Sequence, residues 1–188
     1  YLNEVCQVVV RDCDHAMVWI GYVEDDEARS VRPVASAGFE NGYLETLKIT
    51  WADTERGRGP TGTAVRTGQP CQCRNMLTDP AFGPWREEAL KRGYASSIAL
   101  PVRADGRVLG VITIYSRGPD SFTEDEVALL KGLADDLAYG ITALRLRRAL
   151  HESEEQFHTM ANAMPQLAWM ARADGYITWY NQRWYDYT

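Results

Sequence analysis

The sequence has no apolar run near the ~20 residues a membrane-spanning helix requires, and its first residues lack the charged-then-apolar layout of a secretory leader. It also has little positive charge in one place. The net charge is −6, and Arg145, Arg147 and Arg148 form its one basic cluster, which leaves a phosphate backbone little to hold. Cysteine is sparse: Cys6, Cys13, Cys71 and Cys73 follow no regular spacing, so they read as reduced thiols and not as a disulfide framework. Histidine occurs three times, and neither an internal repeat nor a low-complexity tract is present. These absences point to a soluble, cytoplasmic chain without nucleic-acid binding or direct membrane contact. What is plentiful is aromatic: six Trp, ten Tyr and four Phe in 188 residues, enough for a packed core and against disorder. The chain opens inside a helical pattern and stops just after Trp184 and Tyr187, and reads as a section of a longer protein.

Leu2, Val5, Cys6 and Val9 recur at helical spacing and predict a short helix ending near Asp12. Ala16 to Val23 and Val31 to Ala37, separated by a charged turn, predict a hairpin. From Phe39 to Arg92 turn residues dominate, with two short helices expected around Thr61 to Thr67 and Pro84 to Lys91. Ile98, Leu100 and Val102 alternate as a strand does. Ala104-Asp105-Gly106 then turns the chain into a strand from Val108 to Tyr115, with Leu109 and Val111 on one face and Val108, Ile112 and Ile114 on the other. Thr123 to Glu126 fits a capping box, with Phe122 and Val127 placed as a hydrophobic staple. The helix that starts there extends to about Ala163, before Pro165. Its residues Val127, Leu130, Ala134, Leu137, Ile141 and Leu144 alternate spacings of three and four, the seam of a helix pair or of a helix on a sheet. Gln166 to Met170 and Tyr176 to Tyr180 flank another turn and predict a second hairpin.

In order along the chain stand Gly57-Arg58-Gly59-Pro60-Thr61-Gly62-Thr63-Ala64, Thr67-Gly68-Gln69-Pro70, Asp79-Pro80-Ala81-Phe82, Ser97-Ile98-Ala99-Leu100-Pro101-Val102, Gly110-Val111 and Leu133 to Ile141. Each phrase is weak alone, but the ordered set resembles the GAF family over residues 1 to 148. Residues 164 to 188, with Ala163-Met164-Pro165-Gln166-Leu167, Asp174-Gly175 and Asn181-Gln182-Arg183-Trp184, look like the opening third of a PAS domain, joined by a helical linker over 149 to 163. The resemblance implies an α+β fold: an antiparallel sheet of about six strands between helices, a long C-terminal signalling helix, and an incomplete PAS-like hairpin. It further implies a small-molecule pocket on one sheet face and terminal helices that pair in a homodimer. GAF-then-PAS order is typical of bacterial sensor histidine kinases.

Several chemical motifs fail on their spacing. The Gly57 to Gly62 run lacks the Lys of a phosphate-binding loop, since Thr63 stands in that place. Cys71-Gln72-Cys73 lacks the two-residue gap of a zinc knuckle, so no metal is expected. No Cys-His pair is present for a bilin, no haem is expected, and the cofactor is unknown. Methionine-sulfoxide-reducing GAF enzymes carry Cys in the Gly-rich turn, where this chain has Thr61, and the Asn-Lys signature of cyclic-nucleotide binders is missing. His151-Glu152 does not continue as a phosphoacceptor box, and His151 and His158 read as solvated. Trp51, Asp79, Phe82, Trp85, Tyr94 and Ser96 remain as a mixed aromatic and polar set suited to a concave site.

The sequence therefore predicts a non-catalytic sensory module. An unidentified small molecule or a partner would act on the GAF-like part, and a histidine kinase would be the output. Two alternatives stay open: a dimerising spacer with a filled core, and a redox enzyme using Cys71 or Cys73.

Overall fold

Three strands that must be apolar on both faces fix the centre of the fold. β1 (Met17–Val23) and β2 (Val31–Gly38) form the first hairpin, β3 (Cys71–Cys73) is short, and β4 (Ser96–Ala104) and β5 (Arg107–Ser116) form the second hairpin. In the computed structural model, which describes residues 1–188, these make one antiparallel sheet in the order β2-β1-β5-β4-β3. The two hairpins meet along β1 and β5, with Trp19 opposite Thr113 and Ile20 opposite Ile112. Because side chains alternate along a strand, Val18, Ile20, Ile98, Leu100, Ile112 and Ile114 fill one face, and all are buried. Met17, Trp19, Ala99, Val111 and Tyr115 fill the other, in a core that also takes in Tyr43, Met76, Phe82 and Tyr94.

The sheet has five strands where about six were expected. After Phe39 the chain folds as helix α2 (Tyr43–Leu47), and the one bridge outside the named strands joins Ser30 to Thr50. The face assigned to Val108 also changes. Val102 pairs with Gly110 but Arg103 pairs with Val108, so Leu109 is an extra, bulged residue and Val108 packs with the Val111 face.

Helix α1 (Leu2–Cys13) turns Cys6 and Val9 inward and stops at Asp14, whose φ of 55° is left-handed. Helix α3 (Pro60–Thr67) follows Gly59 and ends at left-handed Gly68. A 3-10 segment, Pro80–Trp85, leads into α4 (Arg86–Lys91). Helix α5 runs from Glu124 to Ala163. Thr123 caps it, its Oγ1 accepting from the Glu126 N–H at 3.3 Å. The other half of the expected capping box does not form, because the Glu126 carboxylate lies 3.2 Å from His15 Nε2 instead. Phe122 stacks on the same imidazole, with ring centroids 5.4 Å apart. Along α5, Leu130, Ala134, Leu137 and Ile141 are buried, Val127 is half-buried and Leu144 is 54% exposed. Most of the face expected to pair between two copies is thus consumed inside the protomer. Gly140 lets the Tyr1 ring lie across the helix, where a Cβ would collide with it.

Residues Tyr1–Gly140 and Ile141–Thr188 form two separate compact units. The second contains the hairpin β6 (Trp169–Ala171) and β7 (Ile177–Tyr180) and helix α6 (Gln182–Tyr187), which the sequence reading did not foresee. Its hub is Asn181, fully buried. Its side-chain oxygen accepts from Ala168 N–H at 3.0 Å, and its amide donates to the carbonyls of Ala161 and Gln166 at 3.2 and 2.9 Å. Phe157 and Trp179 meet edge-on at 5.6 Å.

Two outcomes follow from this arrangement. Leu137 is fully buried, so Leu137→Asp should cost at least about 3 kcal/mol in urea unfolding, whereas Leu144→Asp should change stability by less than about 0.5 kcal/mol. The second concerns His15, whose pKa is lowered because burial of the ring outweighs the pull of Glu126 and Asp14. The unfolded chain then takes up a proton below about pH 6.5 that the folded chain resists, so stability should fall as pH drops below that point. Urea midpoints measured across pH 5 to 8 should show this slope in the parent and a flatter one in His15→Gln.

Candidate functional site

On the sheet face occupied by Met17 and Trp19, hydroxyls interrupt an otherwise apolar surface. Ser97 on β4 pairs in register with Tyr115 on β5, and Thr113 stands two residues before Tyr115 on the same face. Over them lies a roof built by the irregular middle of the chain. Trp85 Nε1 donates to the Leu47 carbonyl at 3.0 Å, which ties the 3-10 segment to the end of α2. Gly59 permits this, since a Cβ there would run into the Trp85 ring. Arg66 on α3 donates to the carbonyls of Trp51, Ala52 and Gly57, satisfying loop acceptors that no secondary structure reaches. Arg86 does the same for Met76 and Asp79, at 2.8 and 2.6 Å.

Between roof and sheet is a cavity lined by Leu47, Ile49, Arg56, Gly59, Pro60, Thr61, Gly62, Phe82, Trp85, Ser97, Thr113 and Tyr115. Its free volume is about 10 Å³, room for roughly one water molecule. The Thr61 and Thr113 hydroxyls are 3.2 Å apart and hydrogen-bonded, while Ser97 Oγ is buried without a partner. Beside the cavity, Tyr43, Tyr94 and Tyr115 pack ring on ring with centroids 5.0 to 5.6 Å apart. Burial raises the pKa of all three phenols, that of Tyr115 to about 12, so they remain protonated at neutral pH.

Of the six residues singled out from the sequence, Phe82 and Trp85 line this cavity. The other four do not, and each has an observed task elsewhere. Trp51 donates to the Glu24 carbonyl at 3.0 Å and lies under the Arg29 guanidinium. Asp79 caps the 3-10 segment by accepting from Ala81 N–H at 2.9 Å. Tyr94 donates to the Phe39 carbonyl, and Ser96 donates to the Gly118 carbonyl at 2.6 Å. The polar residues that do line the cavity, Arg56, Thr61, Ser97, Thr113 and Tyr115, were passed over. A usable signal existed in Ser97 and Thr113, hydroxyls at core positions of strands whose neighbours are apolar.

Cys73 is fully buried on β3, where burial first and Asp79 second push its thiol up to about 12, and Cys71 is shifted in the same direction. Thiols held protonated are poor nucleophiles. Cys6 is buried and Cys13 exposed. His151 and His158 are both exposed.

A family model described as GAF domain matches residues 1–142. The methyl sulfide methyltransferase-associated sensor of Methanosarcina acetivorans is 32% identical over 115 residues, 61% of this chain and 12% of that protein. This chain thus corresponds to a small part of the length of that relative. Among solved structures, a domain assigned to a two-component sensor histidine kinase of Sinorhizobium meliloti superposes with a TM-score of 0.63 at 19% identity, covering 80% of this chain and 94% of its own. The free methionine-R-sulfoxide reductase of Neisseria meningitidis, in complex with its substrate, superposes with a TM-score of 0.64 at 21% identity over 78% of each chain. At these identities the two structures share the fold. With the family match covering more than half of its length, the chain belongs to the GAF domain family.

Proposed function

We propose that this chain is the sensory section of a signal-transduction protein, in which residues 1–148 sense a small molecule and residues 149–163 relay the change. In this reading residues 164–188 begin a PAS-like domain, and a histidine kinase is the output. One observation carries the reading: the cavity is bounded by the strand that feeds the long helix. Thr113 and Tyr115 line it from β5, and the same strand leads through residues 117–123 into α5. A ligand that shifts Tyr115 therefore acts one short loop away from the N-terminus of the helix. The sensor named among the relatives supports the same role, and a domain from a two-component sensor histidine kinase protein shares the fold.

The spacer alternative draws on the smallness of the cavity, which a filled core would also produce. The sensor reading draws on Ser97, whose buried Oγ lines the cavity without a partner. The redox-enzyme alternative is the weaker of the two, since Cys73 is buried and protonated and Thr61 occupies the Gly-rich turn. No helix of the structure is long and apolar enough to cross a membrane.

A homodimer belongs to this reading, through a different stripe of α5 from the one first expected. Leu146, Leu150, Phe157 and Met160 are exposed, three of them by 60% or more. Their spacings of four, seven and three keep them on one seam, and a seam of this period is self-complementary when two copies lie in parallel. Native mass spectrometry of the protein as purified should show a retained small molecule, and sedimentation equilibrium should show a dimer at micromolar concentration. Leu146→Asp with Leu150→Asp should give a folded monomer. A parent protein that is monomeric, or a double variant that stays dimeric, would remove the dimer from the proposal.

A further inference from the structure

The cavity under Trp85 is polar in an unequal way. Each polar side chain lining it carries an N–H or O–H donor, and none of its lining residues is a carboxylate. Ser97 is 1% exposed and its Oγ has no partner anywhere in the chain. The Thr61–Thr113 pair uses one hydroxyl hydrogen between two oxygens, which leaves the second hydrogen free for a ligand. Helix α3 begins at the same wall. Pro60 is its first residue, and the Thr61 and Gly62 N–H groups precede the first intrahelical bond, which runs from Thr63 N–H to the Gly59 carbonyl at 3.0 Å. Gly59 has no side chain with which to cap them, and the first turn carries no acidic residue. The positive end of the helix dipole is therefore uncompensated by the protein on this side. The one charged lining residue is Arg56, exposed, with Nη1 3.4 Å from the Leu47 carbonyl.

From this juxtaposition of an orphaned buried hydroxyl, an uncapped helix N-terminus and a single guanidinium, we propose that the cavity receives one oxygen of a small oxyanion, a carboxylate or an inorganic equivalent. The inference rests on the sensor reading above and narrows its ligand to a chemical class. The free space fits one oxygen-sized atom, so the oxygen replaces a water against Ser97 and α3 while the rest of the anion lies toward Arg56. A cation finds no counter-charge here. A neutral amide can offer its carbonyl oxygen to the same hydroxyls but brings no negative charge for the helix N-terminus and Arg56.

Thermal unfolding of the full 188-residue chain tests this at constant ionic strength, with sodium chloride replaced stepwise by sodium acetate or sodium nitrate and with acetamide as the neutral isostere. The expected result is a saturable rise in Tm with acetate or nitrate, none with acetamide, and a midpoint concentration raised at least about tenfold in Ser97→Ala and in Arg56→Gln. The more effective of the two salts assigns the source as carboxylate or inorganic anion. Arg56 is exposed, so its variant keeps the fold even if Ser97→Ala, monitored by circular dichroism, does not. Equal shifts with acetamide and acetate, or anion shifts unchanged in both variants, overturn the anion assignment and leave the sensor reading intact. So does silence of all three probes when native mass spectrometry finds another compound that Arg56→Gln releases. Silence of all probes with nothing retained overturns both.

Discussion

Burial of β1, β4 and β5 on both faces is the constraint from which the rest of the first unit follows. A two-sided strand spends every residue on packing, so the two faces can differ only in which side chains alternate. One face, built on Val18, Ile20, Ile98, Leu100, Ile112 and Ile114, is wholly apolar. The other places Ser97, Thr113 and Tyr115 among apolar neighbours, and polar groups so placed need partners or a ligand. The site is thus a product of strand alternation. The loops above it do not create the polarity; they seal it from solvent.

The sealing itself depends on arginine. Arg66 and Arg86 each satisfy carbonyls of irregular backbone, the groups that make buried loops costly. Each is fixed on a helix and reaches outward with several donors, so two side chains hold two loops closed over the aromatic core. This explains how a segment dense in turn residues can serve as a roof.

The sequence was most legible where periodicity is long or the chemistry is local. The 40-residue α5, the two hairpins of the first unit and the cap at Thr123 all stood out. It was least legible where partners are distant in sequence. Tyr94 and Ser96 have the composition of site residues, but their hydroxyls reach carbonyls of Phe39 and Gly118, which no pattern reveals. Spacings of three and four identified an apolar face on α5 without saying what covers it, and Leu130, Ala134 and Leu137 proved to be covered within the protomer. Glu126 shows the same limit at short range. The capping-box pattern was present, yet His15, more than a hundred residues earlier, took the carboxylate.

Asn181 gives the second unit an unusual chemical vulnerability. Its one side chain accepts a hydrogen bond on one arm and donates two on the other, joining backbone at Ala168, Ala161 and Gln166. Aspartate has the same shape but no hydrogens to donate when ionised, and would set negative oxygen against two carbonyls. Spontaneous hydrolysis of that amide, which alters a single functional group and no backbone bond, would thus turn the hub of the unit into a source of repulsion. Burial of Asn181 keeps the unit together and also shields that amide from the water its hydrolysis consumes.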